Sequence, residues 1–243
     1  AYLDRYPERT LERLERWATD PNVHVRRLVS EGTRPRLPWA PRLRRFQQDP
    51  YPVLELLEIL KNDDEEYVRR SVANNLNDIS KDHPALAVET AAGWWNDDPD
   101  TRRMVRHGLR TLIKAGNPGA LAILGFGSDS PVRLRAVAIE PSTAHIGDSV
   151  RITAELDNPS SEHGEALVDL IVHFVKASGA TSPKVFKGGE RSIPAGESAW
   201  VSKRISLAQQ STRTHYPGLH TVDVQVNGTR HPGGGFEIID DAT

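Results

Sequence analysis

The chain has 243 residues, of which 37% are hydrophobic and 26% are charged, and its formal net charge is -2 at pH 7. This composition is typical of a soluble protein of one or two domains, and no apolar run approaches the roughly 18 residues that a membrane helix needs. Cysteine is absent, which excludes disulfides, thiolate metal sites and thiol nucleophiles. We therefore expect a soluble, cytoplasmic protein.

The charges before residue 138 are unusual in kind. Roughly 22 basic residues stand against 20 acidic ones, and arginine outnumbers lysine about six to one. Arginine offers a planar fork to phosphates and keeps its charge when it is desolvated. An arginine-rich region of near-neutral charge can therefore carry a phosphate-binding face. The alternative is a set of solvated helix surfaces on which arginine pairs with glutamate.

A recurring helical pattern begins at Asp20 with DPNVHVRRLVSEG, an acidic cap followed by an Arg-Arg-apolar-Val helix. It returns as NDDEEYVRRSVANNL from Asn62, as NDDPDTRRMVRHGL from Asn96 and, in degenerate form, as SDSPVRLRAV from Ser128. The spacings are about 43, 33 and 32 residues, and the apolar-periodic stretches VLELLEIL and ALAVETAAGWW lie between the repeats. Such a pattern predicts a solenoid of helical pairs.

A proline-rich loop, TRPRLPWAPRL, follows the first repeat and contains Trp39. Because such a loop has little conformational freedom, it can hold the Trp39 ring toward a ligand at small entropic cost. The alternative is that the ring fills a gap between two repeats. Trp17, Trp94 and Trp95 lie on apolar helical faces, and we expect them to pack in the core.

Polar residues recur at matched positions on the successive repeat helices. The first column contains Arg27, Arg70, Arg103 and Arg135, and the column one turn further on contains Glu31, Asn74 and His107. Asp78 continues the face of Asn74 by another turn. Because stacked repeats turn a column into a stripe, this arrangement predicts a groove for an extended, charged ligand. The alternative is that the arginines cap or bridge neighbouring repeats.

After residue 137 the pattern changes to short alternating strands separated by turn signals, as in SVRITAEL, LVDLIVHFV and TVDVQV. This pattern predicts an antiparallel immunoglobulin-like sandwich, with Asn227-Gly228 as a type I′ hairpin turn. The predicted fold class is thus multidomain α + β, with a helical-repeat solenoid over residues 1–137 and an all-β sandwich over residues 138–243.

Several catalytic motifs are missing from the sequence. It contains no glycine-rich phosphate loop with a lysine, no His-Glu-x-x-His helix and no Gly-x-Ser-x-Gly elbow, which argues against nucleotide hydrolysis and zinc chemistry. His215 and His220 are too weak a pair to indicate a metal site, and we expect structural histidines there. We predict that the protein uses no metal and no nucleotide cofactor.

Two segments carry a family resemblance: VRRLVSEGTRPRLPWAPRL from Val25 and RRSVANNLNDISKDHP from Arg69. They resemble the HEAT-like alkylpurine DNA glycosylases of the AlkC type, which are related to the AlkD glycosylases and carry an immunoglobulin-like domain after their repeats. The resemblance implies excision of cationic N3-alkylated bases such as 3-methyladenine from duplex DNA, without base flipping, in base excision repair. We expect a monomer that acts at lesions in the bacterial nucleoid.

The resemblance also implies the site residues. Glu31, Trp39 and Asp78 match the active-site positions of the family. The residues that we expect to bind DNA are Arg27, Arg34, Arg36, Arg70, Asn74, Arg103, Arg106 and, in the sandwich segment QSTRTHYPG, Arg213. Proteins of the AlkC type are longer at the N-terminus, so we expect this chain to begin inside the solenoid, without a further active-site carboxylate, and to be impaired in catalysis.

The chemistry of the lesion agrees with such a site. An N3-methylated adenine is already cationic, so its glycosidic bond needs no general acid, and a carboxylate that stabilises the oxocarbenium sugar lowers the barrier. At about 4 Å and an effective dielectric near 20, one carboxylate opposite one positive charge contributes roughly 4 kcal/mol, or about a thousandfold in rate. We assign this role to Asp78, assisted by Glu31. The alternative function is a non-catalytic repeat scaffold that binds bent DNA or a protein partner.

Overall fold

The computed structural model describes residues 2–210 and 214–239. The chain divides into two compact units, Ala1–Ala115 and Gly116–Thr243, and each is described by itself. Helices make up the first unit, and one short helix followed by strands makes up the second. The predicted fold class, helical repeats followed by an immunoglobulin-like sandwich, is confirmed. In the described ranges, no helix combines the length and the apolarity that crossing a membrane requires.

The described part of the first unit contains nine helices. They are α1 (Tyr2–Arg5), α2 (Pro7–Trp17), α3 (Val23–Gly32), α4 (Arg44–Gln48), α5 (Tyr51–Leu60), α6 (Glu66–Ile79), α7 (Pro84–Trp94), α8 (Pro99–Gly108) and α9 (Arg110–Lys114). Three of the four predicted repeat helices are present, as α3, α6 and α8. The central helix α6 packs against both α3 and α8.

The repeat helices form where capping and apolar spacing agree. The side chain of Asn22 accepts a hydrogen bond from the His24 amide at the start of α3, and that of Asp98 accepts one from the Thr101 amide at the start of α8, which satisfies amides that a helix leaves unpaired. Helix α6 buries Val68, Val72, Leu76 and Ile79 at helical spacing. Burial of each such side chain contributes roughly 1.5–3 kcal/mol.

The first arginine in each of the first two Arg-Arg pairs joins consecutive repeats. Arg26 donates from Nη1 to the Asp20 carbonyl at 2.9 Å and from Nε to Asp63 Oδ2 at 2.6 Å. One repeat later, Arg69 donates from Nη1 to the Asp63 carbonyl and from Nη2 to Asp100 Oδ2, both at 2.6 Å. Each of these arginines thus binds the loop that precedes its own helix and an acidic residue of the next repeat. The sequence analysis considered bridging of repeats as an alternative role for Arg27 and Arg70. In the structure, the preceding residues Arg26 and Arg69 form these bridges instead.

The prediction of a fourth repeat helix is wrong. Residues from Arg133 to Glu140 form a strand, β1, which pairs antiparallel with the strand Ser149–Asp157. Apolar residues here recur with a period near two, and Leu134, Val137 and Ile139 pack against the sandwich core. Arg135 consequently lies on a strand and not in register with the helical arginines. The predicted domain boundary after residue 137 falls inside β1, whereas the last helix, α10 (Pro118–Ile123), ends well before it.

The second unit is a two-sheet sandwich. Its further strands are β2 (Thr143–His145), β3 (Ser149–Asp157), β4 (Gly164–Val175), β5 (Thr181–Ile193), β6 (Ser198–Ser206), β7 (Gly218–Val226) and β8 (Thr229–Ile239). One sheet has the order β1-β3-β6 and the other β2-β8-β7-β4-β5. Among the strands that the structure describes, all pairs are antiparallel except β2 with β8, which is parallel. The prediction of a purely antiparallel sandwich is therefore wrong for this pair.

The inner faces and the β7–β8 turn follow the sequence pattern. Strand β3 completely buries every second side chain from Val150 to Leu156, as expected for one face of a strand. Asn227 and Gly228 both have positive φ, at 46° and 83°, which is the backbone of the predicted type I′ turn. Asn is one of the few residues with a side chain that adopt this conformation readily.

Candidate functional site

A buried guanidinium lies at the centre of the site. Arg34, two residues beyond the end of α3, donates from Nε to Asp78 Oδ2 at 2.9 Å and from Nη1 to Glu31 Oε1 at 2.7 Å. Arg34 is only 8% exposed and Asp78 1%. Burial alone lowers the pKa of Arg34, but its hydrogen bonds to the two carboxylates outweigh this effect and raise the pKa. One arginine therefore holds together the two carboxylates predicted to be catalytic.

The remaining carboxylate oxygens also have partners. Lys81 Nζ lies 2.9 Å from Asp78 Oδ1. Ser71 Oγ donates to Glu31 Oε2 at 2.8 Å, and Arg27 Nη2 lies 3.4 Å from the same oxygen. The Glu31 side chain keeps 18% of its surface exposed, against 2% for Asp78. Glu31 is therefore partly accessible at the surface, whereas Asp78 is buried with both carboxylate oxygens bound.

Trp39 is exposed and strained. Its residue is 104% exposed and its φ is 62°, the left-handed region that costs a residue with a side chain about 1–2 kcal/mol. The alternative that the ring fills a gap between repeats is therefore wrong. Of the other tryptophans in the helical unit, Trp94 is buried in the core as predicted, whereas Trp17 and Trp95 are only partly buried.

Arg36 fixes the Trp39 loop to a later part of the chain. It donates from Nε to Asp82 Oδ2 at 2.8 Å and from Nη2 to Asp82 Oδ1 at 2.5 Å, a bidentate pair of the kind that gives geometric specificity. The hydrogen bonds from Arg36 are the main reason that the pKa of Asp82 is lowered. Arg36 was predicted to bind phosphate. In this structure its guanidinium is instead occupied by Asp82.

Two predicted DNA-binding arginines lie beside an open cleft between α6 and α8. Arg70 Nη2 is 2.5 Å from Glu66 Oε1 and Arg103 Nη1 is 2.8 Å from Asp100 Oδ1, and both arginine side chains are 66% exposed. Exposed pairs of this kind contribute little to stability and exchange partners readily. The cleft has a volume of about 390 Å³ and is lined by Glu66, Arg69, Arg70, Ala73, Asp100, Arg103, Met104 and His107.

The last two predicted DNA-binding arginines are Arg106 and Arg213. Arg106 is an exposed residue of α8. Arg213 lies outside the residues that the structure describes.

The predicted Asn74–His107 column contains an arginine that the sequence analysis missed. His107 Nε2 lies 3.0 Å from Asn74 Oδ1, and Arg110 donates from Nη2 to the same oxygen at 3.1 Å and from Nη1 to the His107 carbonyl at 2.6 Å. Burial, with the nearby charges of Arg110 and Arg70, lowers the pKa of His107. Because the Asn74 amide oxygen only accepts, His107 Nε2 is the donor in this contact. Arg110 was overlooked because it lies outside the Arg-Arg pairs, although it follows His107 by one helical turn.

The two sandwich histidines considered in the sequence analysis, His215 and His220, have structural surroundings. His220 lies 3.1 Å from the Tyr216 carbonyl through Nε2, accepts from the Val175 amide at 3.3 Å through Nδ1, and stacks on Phe236. Burial lowers its pKa. His215 packs its ring edge against Phe174. In the part of the chain that the structure describes, no three His, Cys, Asp or Glu side chains converge as metal ligands do.

Two protein families match the chain, one in each part. Residues 1–111 match the family described as DNA alkylation repair enzyme. Residues 133–240 match the family described as the C-terminal Ig-like domain of uncharacterised protein YhaZ. Each match coincides with one of the two architectures described above.

Individual proteins match over nearly the whole chain. The sequence is 39% identical over 221 residues to the uncharacterized protein YhaZ of Bacillus subtilis (strain 168), a match that covers 91% of this chain and 61% of that protein. The structure is similar to the Pseudomonas fluorescens alkylpurine DNA glycosylase AlkC bound to DNA containing an abasic site analog, with a TM-score of 0.92 and 39% identity over 98% of this chain and 66% of that one. The chain thus spans less than two thirds of the length of YhaZ and about two thirds of that of AlkC.

Proposed function

Since residues 1–111 belong to the DNA alkylation repair enzyme family and residues 133–240 form an immunoglobulin-like domain of the YhaZ type, we propose that this chain excises cationic N3-alkylated bases from duplex DNA. The predicted resemblance to AlkC-type proteins is confirmed. The substrate, typified by 3-methyladenine, and the chemistry described below are our proposal.

One observation carries the proposal: two carboxylates are held around one guanidinium close to a loop that exposes a tryptophan. Glu31 and Asp78 bind different nitrogens of Arg34, so this part of the protein already accommodates a planar cation beside two anions. An N3-alkylated adenine is a planar cation, and bond cleavage transfers its positive charge to the sugar. A pair of carboxylates therefore suits both the lesion and the oxocarbenium sugar.

The unequal burial of the two carboxylates suggests different roles. Glu31 has exposed surface and reaches the sugar cation or the attacking water, while Asp78, bound to Arg34 and Lys81, holds Arg34 in position beside Glu31. A carboxylate about 4 Å from the developing charge contributes roughly 4 kcal/mol at an effective dielectric near 20, so Glu31 supplies the larger share. This assignment reverses the order of importance that we expected from the sequence.

The exposure of Trp39 supports hydrolysis of a base that stays in the helix. A base drawn out of the duplex needs an enclosing pocket lined by aromatic and polar groups. Trp39 instead stands fully in solvent on a loop fixed by Arg36, where its ring can lie against the sugar or a base edge of an intact duplex. Phosphate contacts by Arg27, Arg70, Arg103 and Arg106 would complete the interface.

The test is release of 3-methyladenine from methylated duplex DNA by the full chain. Glu31→Gln and Trp39→Ala are expected to lower the rate at least tenfold each, and Arg16→Gln, on the exposed surface of α2, serves as the matched control with unchanged rate. If Glu31→Gln releases 3-methyladenine at the wild-type rate, Glu31 does not have the catalytic role proposed for it.

A second function is favoured by a specific observation, since every oxygen of Glu31 and Asp78 already has a protein partner. A repeat scaffold that binds bent DNA or a protein partner without chemistry would need no available carboxylate. Salt-sensitive DNA binding with no release of any alkylated base would support this function. Base release by the wild-type chain excludes it.

A further inference from the structure

Arg110 differs from the other arginines around the site in its partners. Arg34, Arg36, Arg70 and Arg103 each bind a carboxylate. Arg110 donates only to neutral acceptors, Oδ1 of Asn74 and the carbonyl of His107. Of the residues that the structure describes, none brings a carboxylate within salt-bridge distance of Arg110.

The surroundings of Arg110 leave its charge poorly compensated. Burial lowers the pKa of this arginine, the nearby charge of Arg34 lowers it further, and Asp78 opposes both from beyond salt-bridge distance. A partly buried cation without an adjacent anion loses solvation that its neutral hydrogen-bond partners only partly replace. The guanidinium is nevertheless only partly buried, so an anion from solution can reach it.

The two hydrogen bonds also orient the guanidinium. Both terminal nitrogens are engaged, one by Asn74 and one by the His107 backbone, and the remaining N–H groups keep the fixed fork that matches phosphate geometry. His107 in turn binds the same Asn74 oxygen, which fixes that amide. The arrangement is therefore preorganised for an oxyanion.

We propose that Arg110, oriented by Asn74 and His107, binds a backbone phosphate of the DNA. The inference rests on the proposed function and adds to it a contact that the repeat pattern did not predict. The phosphate supplies the anion that the protein itself does not, so binding removes the desolvation cost that the free protein carries at this position.

The experiment measures the affinity of the full chain for fluorescently labelled duplex DNA over a range of salt concentrations. Arg110→Gln is expected to weaken binding about tenfold and to reduce the salt slope by about one, the loss of one phosphate contact. Arg110→Lys is expected to restore the slope but only part of the affinity, because lysine lacks the fork. Arg16→Gln, which removes an exposed ion pair on α2, is the control and is expected to leave the affinity and the salt slope unchanged.

A second measurement keeps the test valid if Arg110→Gln also loosens the fold. In duplexes that carry a single neutral methylphosphonate, one position is expected to weaken binding of the wild type about tenfold and to have no effect on Arg110→Gln. If every methylphosphonate affects both proteins equally, or if Arg110→Gln keeps the wild-type affinity and slope, Arg110 binds no phosphate while the proposed function stands. If the wild-type chain binds no DNA, both proposals fail.

Discussion

Trp39 shows how a single residue departs from what folding alone would select. Because the indole of Trp39 is exposed, it contributes no burial to the stability of the fold, and the left-handed backbone of the residue costs free energy. Such strain is retained where the surrounding structure enforces it, and it is concentrated at functional positions. The stiff, proline-flanked loop and the Arg36–Asp82 pair supply that enforcement.

Substitution at Trp39 separates backbone strain from the role of the ring. We expect Trp39→Gly to be more stable than Trp39→Ala by about 1 kcal/mol, because glycine adopts positive φ freely and alanine does not. Both variants should lose base-release activity to the same extent, since both lack the ring. Urea denaturation and a methylated-duplex assay give the two quantities. Equal stability of the two variants would contradict a left-handed backbone at this position.

The two carboxylates should differ in what their loss does to the fold. Asp78→Asn leaves buried Arg34 without one of its anions, so we expect the free energy of unfolding to fall by about 3 kcal/mol. Glu31→Gln affects a more exposed group, and a loss of about 1 kcal/mol is expected. Thermal or urea unfolding of both variants tests the difference. If Asp78→Asn is as stable as wild type, the buried pair with Arg34 contributes nothing to the fold.

At the scale of elements, the sequence was sufficient to predict the repeat helices but not to predict which partners their arginines bind. The Arg-Arg pattern correctly predicted α3, α6 and α8. Of the predicted acidic caps only that of α8, Asp98, is present, since Asn22 caps α3 and α6 has no side-chain cap. The spacing of four residues did place Arg27 beside Glu31. It could not reveal that Arg26 joins repeats, because this depends on which helix side packs against the neighbour. The pair of Arg36 with Asp82 spans 46 residues of sequence, and no local pattern indicates such a contact.

The Arg36–Asp82 pair is predicted to act through the position of the Trp39 loop. Arg36→Ala or Asp82→Ala should lower base-release activity several-fold and unfolding free energy by about 1–2 kcal/mol, since the pair is partly buried. The reversed pair Arg36→Asp with Asp82→Arg should recover more activity than either single reversal does. If Arg36 instead binds phosphate directly, the double reversal recovers none, which base-release rates and DNA affinity would reveal.

At the scale of the whole molecule, the fold class was predictable and the end of the helical repeats was not. The Ser128–Val137 segment has the arginines of a repeat, but its apolar residues pair with β3 across the sheet. Long-range strand pairing of this kind overrides a local resemblance. The parallel pairing of β2 with β8 could not be predicted either, because a strand of three residues is too short to show an alternation of apolar and polar residues.

Stability is expected to depend on pH in two stages. The pKa values of His107 and His220 are lowered from an ordinary 6.5 by burial, so the unfolded state takes up protons first as the pH falls. Unfolding free energy should therefore be constant above about pH 7 and decline below 6.5. A second decline should begin near pH 5, where the unfolded state takes up protons on carboxyl groups whose pKa is lowered in the folded protein. These are Glu58, Asp63, Glu66, Asp82 and Asp98.

Chemical denaturation between pH 8 and pH 3 measures both stages. His107→Gln and His220→Gln should each flatten the decline below 6.5, whatever their effect on stability at pH 8. An unchanged slope in both variants would mean that these histidines are not the groups that titrate.

The first repeat is roughly ten residues longer than the second, and the loop that carries Trp39 lies within it. The helices on either side keep their register, because Arg26 and Asp63 join the two repeats independently of what lies between them. The loop is thus an insertion that the scaffold tolerates as a unit. Exchange of this one segment by grafting would therefore leave the helices on either side of it unchanged.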